Sequence, residues 1–195
     1  DVIAGKAAHN PRGRRENASL LIDIRAKLAA GKGGGYERWA KVFNVKQMAK
    51  TLLYLQEHGI RNREELNASA DDASEKLSAL NESIKSIDAQ IAALTELRRQ
   101  IVAYAKTRKT FDEYKASHYS RKFYDAHEAE IEQHRVAKRY FNAHGITKLP
   151  KIKDISVEYD KLIAEKRAAY AEYRATRDEH RELLVHRHNV EVFLS

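Results

Sequence analysis

From Leu66 onward, apolar residues return alternately four and three positions apart, through Ala70, Ala73, Leu77, Leu80, Ile84, Ile87, Ile91 and Leu94. That step keeps one side chain per turn on the same helical face and forms the seam of a coiled coil. The stripe continues through Leu97, Ile101, Tyr104 and Phe111 after one extra three-residue step, a stammer that overwinds the helix locally. Asn62 followed by Glu65 supplies a capping box in front of it, and the pattern runs to about Ala116. A second seam, from about Ile152 to Phe193, passes through Ile155, Tyr159, Leu162, Ala169, Tyr173 and Leu183. A shorter helix from about Ser120 to Ala143 and a turn at Pro150 separate the two seams, which predicts that they fold back on each other antiparallel within one chain. Parallel dimerisation is the rival arrangement.

Ahead of the first seam the punctuation is also helical. The stretch NASLLIDIRAKLAAG puts Leu21, Ile24 and Leu28 on one face and stops at Gly31. A second helix is predicted from about Tyr36 to Glu57, with Asn44 of NVKQ available as an internal cap if the chain bends there. It ends in YLQEHGI, where Gly59 can take the left-handed cap position and Ile60 can fold back on the last turn. The shorter helix ends in the similar YFNAHGI, a hint of an old duplication. Only two prolines interrupt the chain, and the fold class expected is all-α. The segments are a basic arm at 1–15, an N-terminal helical pair with a glycine-rich joint at 16–60, and a long coiled-coil body at 61–195.

Charge changes the picture, because the excess of +8 is segregated. Residues 1–60 carry 11 basic against 5 acidic side chains, and 103–150 carry 10 against 6, whereas 61–102 carry 6 against 8 and 151–195 carry 9 of each. A polyanion-binding face would produce such segregation. The absence of cysteine excludes disulfides and thiolate metal sites. No apolar run approaches the length of a membrane span, so no membrane partner is expected. A chain that opens on Asp1 is expected to be a piece of a longer protein.

Four glycines in the five positions Gly31 to Gly35 raise the question of a phosphate cradle. Lys32 lies among the glycines, no hydroxyl follows it and the segment before it is helical, so neither a Walker loop nor a dinucleotide loop fits and the run is read as a joint between helices. His127, Glu130 and His134 fall at i, i+3 and i+7 and could share a helical face, but a zinc site needs further ligands, and the expected role is a polar helix surface. In HRH at 186–188, residues two apart point to nearly opposite sides. No nucleophile with a paired base is visible, and no cofactor is expected.

Basic and aromatic residues interleave in KTRKTFDEYKASHYSRKFYDAH, residues 106–127. Lys106, Arg108, Lys109, Lys115, Arg121 and Lys122 could neutralise phosphates while Tyr119 and Tyr124, with Phe111, Tyr114 and Phe123, stack on unpaired bases. The plainer alternative is that the aromatics form the core of a helix junction and the cations its solvated rim. Arg38, Trp39 and Lys41, just beyond the glycine joint, are expected to assist.

The stretches SLLIDI (19–24), GYERWAKVFNVKQMAKTLLYLQEHGI (35–60), YSRKFYDAHEAEI (119–131) and LPKIKDISVEYDKLIAEKRAAYAEYRATRDEHRELL (149–184) resemble the C-terminal helical region of relaxases, the mobilisation nucleases of conjugative and mobilisable bacterial elements. The resemblance covers nearly all of the chain after the basic arm. It implies a cytoplasmic bacterial protein that nicks DNA through a tyrosine, with a metal held by a histidine-hydrophobe-histidine motif on a strand. This chain departs from that motif: its His-x-His has Arg187 at the centre, and none of its ten tyrosines qualifies as nucleophile, so no catalytic or metal role carries over. Two functions of different class follow. One is a non-catalytic appendage that binds DNA, single-stranded and with low sequence preference, during plasmid or transposon mobilisation. The other is a coiled-coil scaffold that docks relaxosome or coupling proteins.

Overall fold

The computed structural model describes residues 18–194, and the basic arm at 1–15 lies outside them. Five helices follow one another, α1 (Ile24–Ala29), α2 (Gly34–Glu57), α3 (Arg63–Ala116), α4 (Arg121–Ala143) and α5 (Ile152–Leu194), with no strand among the described residues. The chain is all-α. Its residues group into two compact units, one of them reaching Ser78 and including everything from Arg174 on, the other running from Ala79 to Tyr173, so that α3 and α5 contribute to both.

The heptad seam of α3 faces inward along its length. Leu66, Ala70, Ala73, Ile84, Ile87, Ile101 and Phe111 are buried, and Leu77, Leu80, Ile91, Leu94, Leu97 and Tyr104 half-buried. Thr107 fills the gap between Tyr104 and Phe111, buried with its hydroxyl bonded to the Ala103 carbonyl at 2.8 Å. In the first unit Leu66, Ala70 and Ala73 pack on Leu183 and Tyr54, with Arg63 beside Glu191 and Asp71 beside Arg187. Rising numbers on α3 meet falling numbers on α5, which is antiparallel pairing. In the second unit Ile101 meets Ile155, Ala137 and Phe141 while Asp88 pairs with Lys166, again antiparallel. Tyr159, expected in the α5 seam, is turned to solvent at the margin of a shallow cavity with Leu94 and Arg98. A third cluster joins Phe111, Tyr114 and Ile131. Each fully buried leucine or isoleucine of these seams contributes about 1.5–3 kcal/mol relative to exposure.

The helix ends follow their sequence signals. Glu65 N–H donates to Asn62 Oδ1 at 2.8 Å, and Glu65 Oε2 accepts from Arg61 N–H at 2.8 Å, which starts α3. After α2 and after α4 the same cap recurs. Gly59 and Gly145 stand at φ 67° and 64°, where a β-carbon would be strained, and Ile60 and Ile146 donate back to Leu55 and Phe141 at 2.8 Å each. His58 and His144 each place Nδ1 2.8 Å from the carbonyl four residues earlier, of Tyr54 and Tyr140, and lie over those rings at 3.9 and 4.1 Å between centroids.

The first helix is shorter than its periodicity predicts. Residues 18–23 are not helical, and α1 begins only after Asp23, whose carboxylate caps Ala26 N–H at 2.9 Å. The cause is competition for backbone groups. Asn44 grips Ile22 from both sides, its Oδ1 accepting from Ile22 N–H and its Nδ2 donating to Ile22 O, both at 2.8 Å. Gln47 Oε1 accepts from Ser19 N–H at 2.8 Å, while Asn189 accepts from Leu21 N–H at 2.9 Å and donates to Ser19 O at 3.0 Å. Amide side chains take the pairings that a helix would need. Asn44 therefore does not cap a bend: α2 runs straight through it as one helix.

Candidate nucleic-acid interface

The glycine run is a turn and a helix start. Gly31 ends α1 at φ 86°, Gly33 is the extended N-cap of α2, and Gly34 and Gly35 are already helical. Tyr36, Trp39 and Phe43 then form a ladder on α2, with ring centroids 5.5 and 5.4 Å apart. Lys32 lies 5.8 Å over the Tyr36 ring. Trp39 is 54% exposed, and Arg38 beside it meets no carboxylate among the described residues. Lys41 is paired with Glu37 at 2.6 Å. From Arg38 to Gln56, α2 carries Arg38, Lys41, Lys46 and Lys50 without one Asp or Glu.

The segment from Lys106 to Tyr124 belongs to the other compact unit and is built differently. Phe111 and Tyr114 are buried with Ile131, and Phe123 and Tyr124 pack half-buried against them. Of the five aromatics only Tyr119 is open, 60% exposed and edge-on to Tyr114 at 5.2 Å. The Tyr124 ring has the Arg121 guanidinium at 5.8 Å and that of Arg135 at 5.6 Å. Its hydroxyl donates to Glu132 at 3.2 Å; burial first, then the Glu132 charge, raises the Tyr124 pKa. The Arg135 hydrogen bond at 2.6 Å in turn holds the Glu132 carboxyl below its ordinary value.

The cations of this segment sit on the rim with partners of their own. Arg108 lies 3.8 Å from Asp112, Lys109 3.9 Å from Glu113, Lys115 3.7 Å from Asp112 and Arg121 2.9 Å from Asp125. These are exposed pairs, each worth well under about 1 kcal/mol, so they compete only weakly with a phosphate. Lys106 and Lys122 meet no carboxylate among the described residues. The junction thus offers a cationic rim and one open ring rather than a stacking platform. The turn into α4 holds His118 and Tyr119 at φ 52° and 61°, a conformation uncommon for residues other than glycine.

The histidines are distributed unlike a metal site. His134, expected on a polar surface with His127 and Glu130, is buried between the rings of Tyr104 at 4.6 Å and Phe111 at 4.2 Å, with Nδ1 3.1 Å from the Thr107 hydroxyl. Burial first, and the charge of Lys138 next, lower its pKa. His127 instead pairs with Glu130 at 3.3 Å, where α4 kinks at His127. Among the described residues no group of three His, Asp or Glu could hold a metal ion, and no helix is long and apolar enough to cross a membrane.

Two features of the site were not anticipated from sequence. Tyr36 and Phe43 extend the exposed Trp39 into a ladder, a pattern legible as aromatics at i, i+3 and i+7. The amides Asn44, Gln47 and Asn189 clamp a non-helical segment, for which the sequence carries no signal, since Asn189 lies 168 positions from Leu21. Comparison with protein families, with curated proteins and with solved structures finds no match for this chain.

Proposed function

We propose that the chain is the non-catalytic helical region of a DNA-mobilisation nuclease of the relaxase type, and that it holds single-stranded DNA with little sequence preference during transfer. The observation that carries the reading is Trp39, 54% exposed between the half-buried rings of Tyr36 and Phe43 and beside Arg38, on a helix that has no carboxylate from residue 38 to 56. Exposed rings can stack on unpaired bases of any identity, and neighbouring cations follow the phosphates. The resemblance of residues 19–24, 35–60, 119–131 and 149–184 to the relaxase C-terminal region supports the same reading, as does the basic excess at 103–150. In this reading the chain works in the bacterial cytoplasm, contributes no catalytic group or cofactor of its own, and leads with Arg38, Trp39 and Lys41, while Lys106, Lys109, Arg121 and Lys122 add phosphate contacts.

Trp39 is the only tryptophan, so its fluorescence reports on the site directly. Titration with oligothymidylate should quench it, and Trp39→Ala should weaken binding by about 1–3 kcal/mol, the worth of one stacked base. Reversing Lys109, Arg121 and Lys122 to Glu should flatten the salt dependence by about 0.7 in slope for each phosphate no longer neutralised. No quenching and no salt-dependent binding by the folded chain would sink the reading.

A second reading, a scaffold that docks relaxosome or coupling proteins, is favoured by a separate observation: α2 turns several aliphatic side chains outward while burying two polar ones beside Ala40 and Tyr54. Gln47 and Thr51 are buried while Val42, Val45 and Leu52 are exposed.

A further inference from the structure

On α2, Val42, Val45, Ala49 and Leu52 follow one another at three- and four-residue steps, the spacing of a coiled-coil seam, and all four are exposed, Val45 at 70%. The same spacing on α3 is covered by neighbouring helices. Leu53 lies alongside and is also exposed. The opposite face already has its partners: Tyr54 packs in the core, Thr51 accepts from Asn189 at 3.1 Å, and Asn44 and Gln47 hold the 18–23 segment. Packing among the described residues therefore leaves the seam bare. A groove of about 560 Å³ adjoins it, lined by Leu21, Met48, Leu52 and Phe193. Contiguous exposed apolar surface of this kind marks an interaction site more often than single exposed residues do.

Charge identifies the occupant. With Val42 and Ala49 at the a positions and Val45 and Leu52 at d, Lys41 falls at g and Lys46 at e, the positions that set partner choice in coiled coils. Lys46 meets no carboxylate among the described residues, Lys41 shares only an exposed ion pair with Glu37 at 2.6 Å, and beyond Glu37 α2 has no carboxylate up to residue 56. We propose that this stripe docks an amphipathic helix of a partner protein whose apolar seam repeats every 3.5 residues and is flanked by Asp or Glu. The proposal rests on the scaffold reading and deepens it. Nucleic acid is a poorer occupant, since valine and leucine offer neither donors for phosphate nor a ring to stack on a base.

The probe is a fluorescein-labelled synthetic helix with Leu and Ile at its seam and Glu at its flanking positions, compared by anisotropy with a twin carrying Lys in place of Glu. The full chain should bind the Glu peptide at micromolar concentration and the Lys twin at least tenfold more weakly. Val45→Ser with Leu52→Ser should weaken the Glu peptide at least tenfold, with helicity by circular dichroism and quenching of Trp39 by oligothymidylate unchanged. Equal binding of both peptides, abolished in the serine variant, would overturn the acidic partner but leave docking in place. Binding of neither would overturn docking as well. A sedimentation mass of two chains that falls to one in the serine variant would assign the stripe to a second copy, and loss of oligothymidylate binding in that variant would assign it to nucleic acid; either overturns the proposal.

Discussion

Each compact unit buries a histidine against aromatic rings with Nδ1 on a threonine hydroxyl, and the two sites differ in what surrounds them. His134 lies between the Tyr104 and Phe111 rings with Thr107 at 3.1 Å. His186 is 1% exposed and stacks on Tyr54 at 3.9 Å, which itself stacks on His58 at 3.9 Å, with Thr51 3.2 Å from Nδ1. There Thr51 also accepts from Asn189, whose amide holds the backbone of Ser19 and Leu21. One histidine fills a hydrophobic slot, and the other belongs to a polar network that fixes the segment leading into α1 and α2. Among the described residues Nε2 of His186 makes no hydrogen bond, and the Glu182 carboxylate is 4.0 Å away, too far to hold a proton well. Burial first, and the nearby His58 next, depress its pKa from 6.5 to about 4.

The largest effect that separates the two sites is acid. Because the folded pKa of His186 lies below the unfolded one, the unfolded chain takes up the proton first as pH falls. Its contribution to stability is intact above pH 6.5 and is lost progressively between 6.5 and about 4. The full difference corresponds to about 3 kcal/mol. His134 is lowered in the same direction. Amide exchange at pH 7 and pH 5 should therefore show the end of α5 and the middle of α2 losing more protection than α4. Equal loss in both units would break the distinction.

The polar network is tested next. Asn189→Ala removes bonds to Leu21 N–H, Ser19 O and Thr51, which at about 1 kcal/mol each should cost about 2–3 kcal/mol and release residues 18–23 to exchange. His134→Phe, by contrast, keeps the ring and forfeits one bond to Thr107, so it should cost no more than about 1–2 kcal/mol and leave the 18–23 amides protected. The duplicated caps then sharpen the likeness between the units: Gly59→Ala and Gly145→Ala should each cost about 1–2 kcal/mol by thermal unfolding, because both stand at positive φ.

The parts of this molecule that repeat were legible in the sequence, and the parts that depend on one distant atom were not. Leu66, Ile84, Ile101 and Leu183 announce themselves because each seam position is constrained by the one a turn away. Gly59 with Ile60, and Gly145 with Ile146, are likewise local. Residues 19–24 have helical periodicity yet 19–23 are not helical, since three amides from α2 and α5 take their backbone bonds, and no window of sequence shows that. His134 reads as a surface residue because position 134 is i+7 from His127; the kink at His127 and the ring pair of Tyr104 and Phe111 put it in the core instead. The aromatics between Phe111 and Tyr124 can be read as platform or as core, and four of the five pack.

The smallest expected effects lie at the two helix starts, where the units use opposite devices. The α2 start spends glycine where none is needed: Gly34 is helical, has no positive φ and, among the described residues, has nothing within 4 Å of where a β-carbon would stand. Alanine there restricts the unfolded chain and favours the helix, so Gly34→Ala should stabilise by about 0.4–1 kcal/mol. The α4 start does the reverse, placing the exposed His118 at φ 52° without glycine. His118→Gly relieves about 1–2 kcal/mol of strain but adds entropy to the unfolded chain, leaving a gain of a few tenths to about 1 kcal/mol. Neither change touches Trp39, so quenching by oligothymidylate should be unaltered in both variants while the melting temperature rises by a few degrees. A fall in melting temperature for Gly34→Ala would mean that the run from Gly31 to Gly35 serves a conformation other than the turn and helix start seen here. A loss of quenching in the same variant would tie the glycines to the nucleic-acid interface after all.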